Sequence, residues 1–319
     1  MSIEPLVQAV RDALRAPSIF NTQPWRWGID HGGLELRAEW TRQLCAVDPY
    51  GHELLLSCGA ALHHALVSLA AAGWGTEVER YGDDGDRLAR IRLLDRTDPD
   101  PDAVALRDAI LARRTDRRPY SDRPVPAEVL DALIAAAFDS GARLHRVRYD
   151  QMPMFAVAVA FAGAAETADP AYLGDLAQWT NRSQWTEDGV PPATGVRQVP
   201  RRVPVREFAL NPHDGMAVEP GGDLGAAYLV LHGPGTTRTD RLRAGEALSA
   251  VLLTAVARGL RVAPITDVIE VDHPRDLVRG LLPERDEPYA ALRCGYSIDV
   301  TDAPATPRRR LRDVLEARR

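Results

Sequence analysis

The stretch Gly59-Ala60-Ala61-Leu62-His63-His64-Ala65-Leu66-Val67-Ser68-Leu69-Ala70-Ala71-Ala72-Gly73 decides the fold, because much of it occurs twice. Gly59, Ala61, Leu62, Leu66, Ala71 and Gly73 are matched by Gly245, Ala247, Leu248, Leu252, Ala257 and Gly259, at a constant offset of 186. The spacing predicts an apolar helix over 52–73 that stops at Gly73, and a second over 240–258. A weaker match pairs Glu4, Leu6 and Ala13 with Glu128, Leu130 and Ala137 at an offset of 124. The two offsets differ by 62 residues, so the second copy carries extra chain between its two matching helices. The Pro-, Gly- and Arg-rich stretch 169–222, with Trp179 and Trp185, is that extra chain. Two similar α+β units are expected, over 1–102 and 103–319, the second with an insertion.

Working outward, helices are expected over 4–15, 102–113 and 126–137. Strands are expected over 33–40, 87–95, 155–161, 226–232 and 289–296. At 319 residues the chain has length for two domains. No apolar run long enough to span a bilayer and no leader-like N-terminus stand out, so a cytoplasmic protein is expected. Three cysteines at wide spacing, Cys45, Cys58 and Cys294, fit a reducing compartment. All 39 basic residues are Arg. Schiff-base lysine chemistry and a Walker-type phosphate loop are therefore excluded. The net charge of −6 argues against a nucleic-acid partner. Any bound anion must be held by Arg, backbone N–H groups or hydroxyls.

Two loops carry chemistry. Arg113-Arg114-Thr115-Asp116-Arg117 follows a helix and sets a hydroxyl between guanidinium groups, as a phosphate requires. In a chain with 39 Arg, such a cluster is also readily solvated charge. Ala16-Pro17-Ser18-Ile19-Phe20-Asn21-Thr22-Gln23-Pro24-Trp25-Arg26-Trp27 combines fixed backbone angles with two amides able to read alternating donors and acceptors. Trp25 and Trp27 read as core anchors, whereas Asn21 would need another buried partner to be merely structural. His52, His63 and His64 lack the spacing of metal ligands, and no metal is expected.

Together these loops resemble the nitroreductase superfamily, which implies an α+β, nitroreductase-like fold and a flavin mononucleotide (FMN) cofactor bound where two units meet. The resemblance assigns the phosphate to Arg113, Thr115 and Arg117, completed by Arg308 and Arg310. It assigns the flavin ring to the 16–27 loop, through Pro17, Ser18, Ile19, Asn21, Gln23 and Arg26. Pro264-Ile265-Thr266-Asp267 resembles the turn that offers a backbone N–H to the flavin, although Thr266 stands where many members have Glu. The first half holds the ring loop without the phosphate motif. The second half holds the phosphate motif without a ring loop, since Asp139-Ser140-Gly141-Ala142 stands in its place. A single-chain pseudo-dimer with one site, of the Acg type, is implied. NAD(P)H as donor, a nitro or quinone-type acceptor and no catalytic side chain follow from the resemblance. The alternative is a flavin store, in which the 169–222 insertion forms a lid over the ring.

Overall fold

The computed structural model describes residues 3–30, 33–82, 84–180, 182, 185–196, 199–206, 208, 218, 221–298 and 301–317. The first unit opens with helix α1 (Glu4–Ala13), whose Pro5 sits in the first turn. Hairpin β1 (Trp25–Asp30) and β2 (Gly33–Ala38) leads to the apolar helix α2 (His52–Ala71), then β3 (Trp74–Arg80) and β4 (Arg87–Arg96). The second unit contains α3 (Pro101–Ala112), α4 (Ala127–Asp139), β5 (Arg143–Arg146), α5 (Met152–Ala168) and α6 (Pro170–Trp179). It continues through β6 (Ala227–Gly233), α7 (Arg238–Ala257), β7 (Arg261–Pro264), α8 (Asp267–Glu270), α9 (Asp272–Arg279) and β8 (Glu287–Gly295). The short α10 (Leu311–Val314) and β9 (Leu315–Ala317) end the described chain.

Each unit builds its own sheet, β3-β4-β2-β1-β9 in the first and β5-β6-β8-β7 in the second. β9 pairs in parallel with β1, Trp27 opposite Leu315. The C-terminal tail therefore returns to the first unit, and the sequence boundary at 102/103 does not describe the first sheet's full membership. Alternation along β1 buries Trp25 and Trp27 in the first core while Arg26 faces solvent.

The repeated helices α2 and α7 cross at the centre, and the repeat's own glycines lie at the crossing. A Cβ built on Gly59 would run into the carbonyl of Leu242 and lie 2.9 Å from Gly245 Cα. One built on Gly245 would run into the carbonyl of Leu56 and lie 2.8 Å from Gly59 Cα. Four residues on, His63 Nδ1 bonds Ser249 Oγ at 2.9 Å. Gly59 and His63 thus each meet the residue 186 positions on, and the Gly59–Leu242 and Gly245–Leu56 approaches mirror one another, the reciprocal contact of a two-fold interface. Leu56 of α2 is buried in the second unit's core and Leu242 of α7 in the first's. Each such burial contributes about 1.5–3 kcal/mol. By length and composition α2 could cross a bilayer, against the expectation that no segment could, yet most of it is buried in the protein.

The expected strand over 155–161 is instead the middle of α5. Phe155, Ala158, Val159 and Ala162 are buried, whereas Met154, Val157 and Phe161 are exposed. A short continuous apolar run carries no period that separates the two structures.

Candidate functional site

A cleft of about 820 Å³ opens where the units meet. The first unit supplies Pro17, Ser18, Ile19 and Phe20, with Glu53, Leu56 and Ser57 from the first turns of α2. The second supplies Thr115, Arg117, Leu248 of α7, and Ala263 to Asp267, which run from the end of β7 to the start of α8. Val205, Arg206 and Phe208 of the insertion close one side. A smaller pocket of about 400 Å³ shares Thr115 and adds Arg15, Arg113, Arg114, Thr306 and Arg308.

The loop after α1 is strained. Phe20, Asn21 and Gln23 have φ of 44°, 54° and 51°, a conformation costing a non-glycine residue about 1–2 kcal/mol. Surrounding bonds hold it there. Ser18 Oγ accepts the Gln23 N–H at 2.9 Å, Ser57 Oγ accepts the Ile19 N–H at 3.2 Å, and Ser57 donates to the Glu53 carbonyl at 2.7 Å. Such enforced strain is characteristic of ligand-binding segments.

The Arg113 loop runs extended against β7, with Thr115 bridging Val262 and Asp116 N–H donating to the Val262 carbonyl. Alternation divides its roles. Asp116 and Arg118 turn inward as a buried ion pair at 2.7 Å, and Tyr120 donates to the Asp116 carbonyl. Arg113, Thr115 and Arg117 are left on the pocket side.

Charge there is unbalanced. Buried Arg206, Arg241 and Arg293 each hold a carboxylate, whereas Arg113, Arg117 and Arg308 hold none among the described residues. Among the described residues Arg113 and Arg308 donate only to backbone carbonyls, that of Arg15 included, and to the uncharged side chains of Asn21 and Thr306, and the Nε of each is buried without an acceptor. Burial first, and mutual repulsion second, push Arg308 down to about 9; burial and Arg114 push Arg113 down to about 10. Two depressed guanidinium groups beside a pocket that Thr115 also lines have the chemistry to hold an anion.

The structure thus gathers Pro17, Ser18, Ile19, Thr115, Arg117, Pro264, Ile265 and Thr266 around one cleft, and Arg113 with Arg308 at its end. It sets four expected residues elsewhere. Asn21 Nδ2 donates to the carbonyls of Gly189 at 2.9 Å and Pro307 at 3.1 Å, and its Oδ1 accepts from Arg308 at 3.0 Å. Gln23 donates to the Glu187 carbonyl at 2.8 Å and accepts the Arg309 N–H at 2.8 Å. Asn21 therefore has the other buried partner that the sequence did not show, and both amides clamp the C-terminal tail. Arg26 is exposed and paired with Glu39 and Glu316. Arg310 is exposed and paired with Glu187 and Asp313.

The insertion also differs from expectation. Trp179 packs behind Phe20 with Leu44 and Tyr172, and Trp185 is exposed. Val205, Arg206 and Phe208 line the cleft in their stead, with Phe208 edge-on to Phe20 and under the Arg117 guanidinium at 4.3 Å. Residues 209–217 of the expected lid lie outside the described residues. Glu53 and Ser57 were not anticipated, although two polar residues one turn apart in His52-Glu53-Leu54-Leu55-Leu56-Ser57 were the available signal. Arg206 and Phe208 sit in a stretch without periodicity and gave none.

No family model matches the chain. Curated relatives do. The chain is 42% identical over 314 residues to Rv3131 of Mycobacterium tuberculosis (strain H37Rv), covering 95% of this chain and 89% of that protein, whose name assigns it by inference to the NAD(P)H nitroreductases. It is 34% identical over 324 residues to the acg protein of the same strain, similarly named, covering 100% and 97%. It is 35% identical over 323 residues to Rv3127, an uncharacterised protein. Among solved structures, a Desulfovibrio desulfuricans protein named as a nitroreductase and crystallised with FMN aligns over 66% of this chain and 94% of its own, at 18% identity and TM-score 0.40. A Bacteroides fragilis nitroreductase with bound FMN aligns over 62% and 91%, at 14% identity and TM-score 0.36.

Proposed function

Because the chain belongs to the nitroreductase family, on its Acg-type branch, we propose that it binds one FMN in the cleft between its units and transfers reducing equivalents from NAD(P)H to a nitro or quinone-type acceptor. Three features of the cleft fit that group. Arg113 and Arg308, without a carboxylate partner among the described residues, suit its phosphate, with Thr115 lining the same pocket and Arg117 the adjoining cleft. Ile19, Leu56, Leu248 and Ile265 suit an apolar planar ring. The Thr266 N–H has no acceptor among the described residues and stands in the same wall. The single observation that carries the reading is the Arg113–Arg308 pair, to which no carboxylate among the described residues is bonded.

Bound FMN would supply the two-electron chemistry. The chain's part is position and electrostatics: Arg113 and Arg308 neutralise the phosphate, the strained Ser18–Gln23 loop and the Pro264–Thr266 turn fix the ring, and Phe208 excludes water from one side. Titrating the cofactor-free protein with FMN tests the binding, read as flavin fluorescence quenching. Saturation at one equivalent supports it, and no quenching overturns it.

A second reading, a flavin store, is favoured by one observation. Arg206 pins the strap over the cleft to Glu166 of α5 at 2.7 Å and Glu270 of α8 at 2.5 Å. Anaerobic mixing of the yellow protein with NADPH separates the two. Rapid bleaching supports the reductase, and a persistent oxidised spectrum supports the store.

A further inference from the structure

Glu53 stands in the wall between the cleft and a neighbouring cavity. That cavity lies among the start of α2, α5, α6 and α8, and reaches solvent past the exposed Tyr50. Glu53 is 5% exposed, and no described residue hydrogen-bonds its carboxyl group. The cations that approach it are already engaged, Arg206 by Glu166 and Glu270, Arg241 by Glu287 at 2.8 Å. Across the cavity, Glu270 Oε1 is buried without a partner among the described residues, and Asp48 accepts the Leu54 N–H at 2.9 Å.

The remaining charges around Glu53 come from every packed element. His52 shares its helix, Asp48 precedes it, Arg117 lines the same cleft, Glu166 lies on α5, Asp267 on α8, Asp272 and Arg275 on α9, and Asp169 caps α6. Carboxylates outnumber cations among them. A buried anion without a partner is far costlier than the neutral acid.

We propose that Glu53 is the proton donor of the cleft, delivering its proton to the oxygen of a bound quinone-type acceptor and regaining one from solvent through the cavity that Asp48 and Glu270 line. This rests on the reductase reading above. The bookkeeping for a quinone is complete: a hydride equivalent, two electrons and one proton, comes from NAD(P)H by way of the cofactor. The second proton leaves Glu53 Oε and forms the product O–H, leaving a carboxylate that water then reprotonates. Burial, followed by the charges of Glu270 and Asp48, holds the Glu53 carboxyl well above the usual range. Burial likewise lifts Asp48 to about 7 and Glu166 to about 8, so the route to solvent passes groups that exchange protons near neutrality.

Two measurements test this. Infrared difference spectra of the cofactor-free protein at pH 7 should contain a protonated-carboxyl C=O band that shifts in D2O, is missing in Glu53→Gln and moves in Glu53→Asp. In the holoprotein, oxidation of the reduced form by excess p-benzoquinone should slow about 100-fold in Glu53→Gln, and recover in part in Glu53→Asp. The alkaline limb of the wild-type pH profile should disappear with the carboxyl. Identical infrared spectra for wild type and Glu53→Gln, or equal oxidation rates, overturn the proposal. If Glu53→Gln does not fold, Glu53→Asp decides it, since an unmoved band and an unchanged pH profile there are equally fatal. Failure of the wild type to bind FMN would sink the reductase reading instead, and the infrared band does not depend on it.

Discussion

Arg113 and Arg308 are where a single side chain matters most, because the two lie beside one another, the Nε of each buried, with no carboxylate among the described residues to offset them. A charge-assisted hydrogen bond contributes about 1.5–3 kcal/mol. Arg113→Gln or Arg308→Gln should therefore weaken FMN binding roughly 10- to 100-fold. Arg26→Gln, which loses only exposed pairs with Glu39 and Glu316, should leave binding within about twofold, in line with the small worth of surface ion pairs. Asn21→Ala separates two roles by the same titration. A side chain reading the ring directly and one holding Arg308 both predict weaker binding, but only the second predicts that the loss is absent once Arg308 is already Gln. Additive losses would return Asn21 to the ring. The motif Arg113-x-Thr115-x-Arg117 was legible in the sequence because alternation in an extended segment sends its odd members one way. Asn21 and Gln23 were legible as buried amides, but not as clamps, since their partners Gly189, Glu187 and Pro307 are between 164 and 286 residues away. No local pattern encodes such a pairing.

Among elements, the α2–α7 crossing holds the molecule together, and its glycines are what the repeat preserved. Gly59→Ala would drive a methyl group into the Leu242 carbonyl, and Gly245→Ala one into the Leu56 carbonyl. Neither neighbour is a flexible side-chain end, so the helices must part. Overpacking of this kind costs about 1–3 kcal/mol or more, and chemical denaturation should register it in both variants. Gly163→Ala is the control. It lies inside α5 with nothing within 4 Å of the added Cβ, and removing a helical glycine should stabilise by about 0.8–1 kcal/mol. Equal destabilisation by all three would dissolve the distinction between a packing glycine and a merely helical one. Helices α2, α4 and α7 and strands β2, β4, β6 and β8 were readable because length and flanking Gly or Pro agreed with the apolar period. The segment 155–161 was not, because helix and strand bury seven apolar residues equally well. β9 was not either, because three residues at the C-terminus gain their strand character only from β1.

The whole molecule is a compromise between two buried charge populations with opposite responses to pH. Burial lifts Asp267 to about 6, Asp48 to about 7 and Glu166 to about 8, while the same groups in an unfolded chain titrate near 4. Through that window the folded protein keeps protons that the unfolded chain has released, so stability falls as pH rises. Burial lowers His52 and His63 to about 4, and here the folded protein holds fewer protons than the unfolded chain, so stability rises with pH, but only up to about 6.5. Arg308 and Arg113, depressed to about 9 and about 10, add a rising contribution only above pH 8. Between about 6.5 and 8 the carboxyl groups around Arg206 act unopposed. The cofactor-free protein should lose on the order of 2–4 kcal/mol across that interval, and calorimetry should record a Tm lower by several degrees at pH 8 than at pH 6.5. Glu166→Gln should flatten the slope, because the group that titrates last is gone. A Tm that climbs from pH 6.5 to 8 would mean that the carboxylates beside the cleft are ionised in the folded state, and the proton reserve behind Glu53 would go with them.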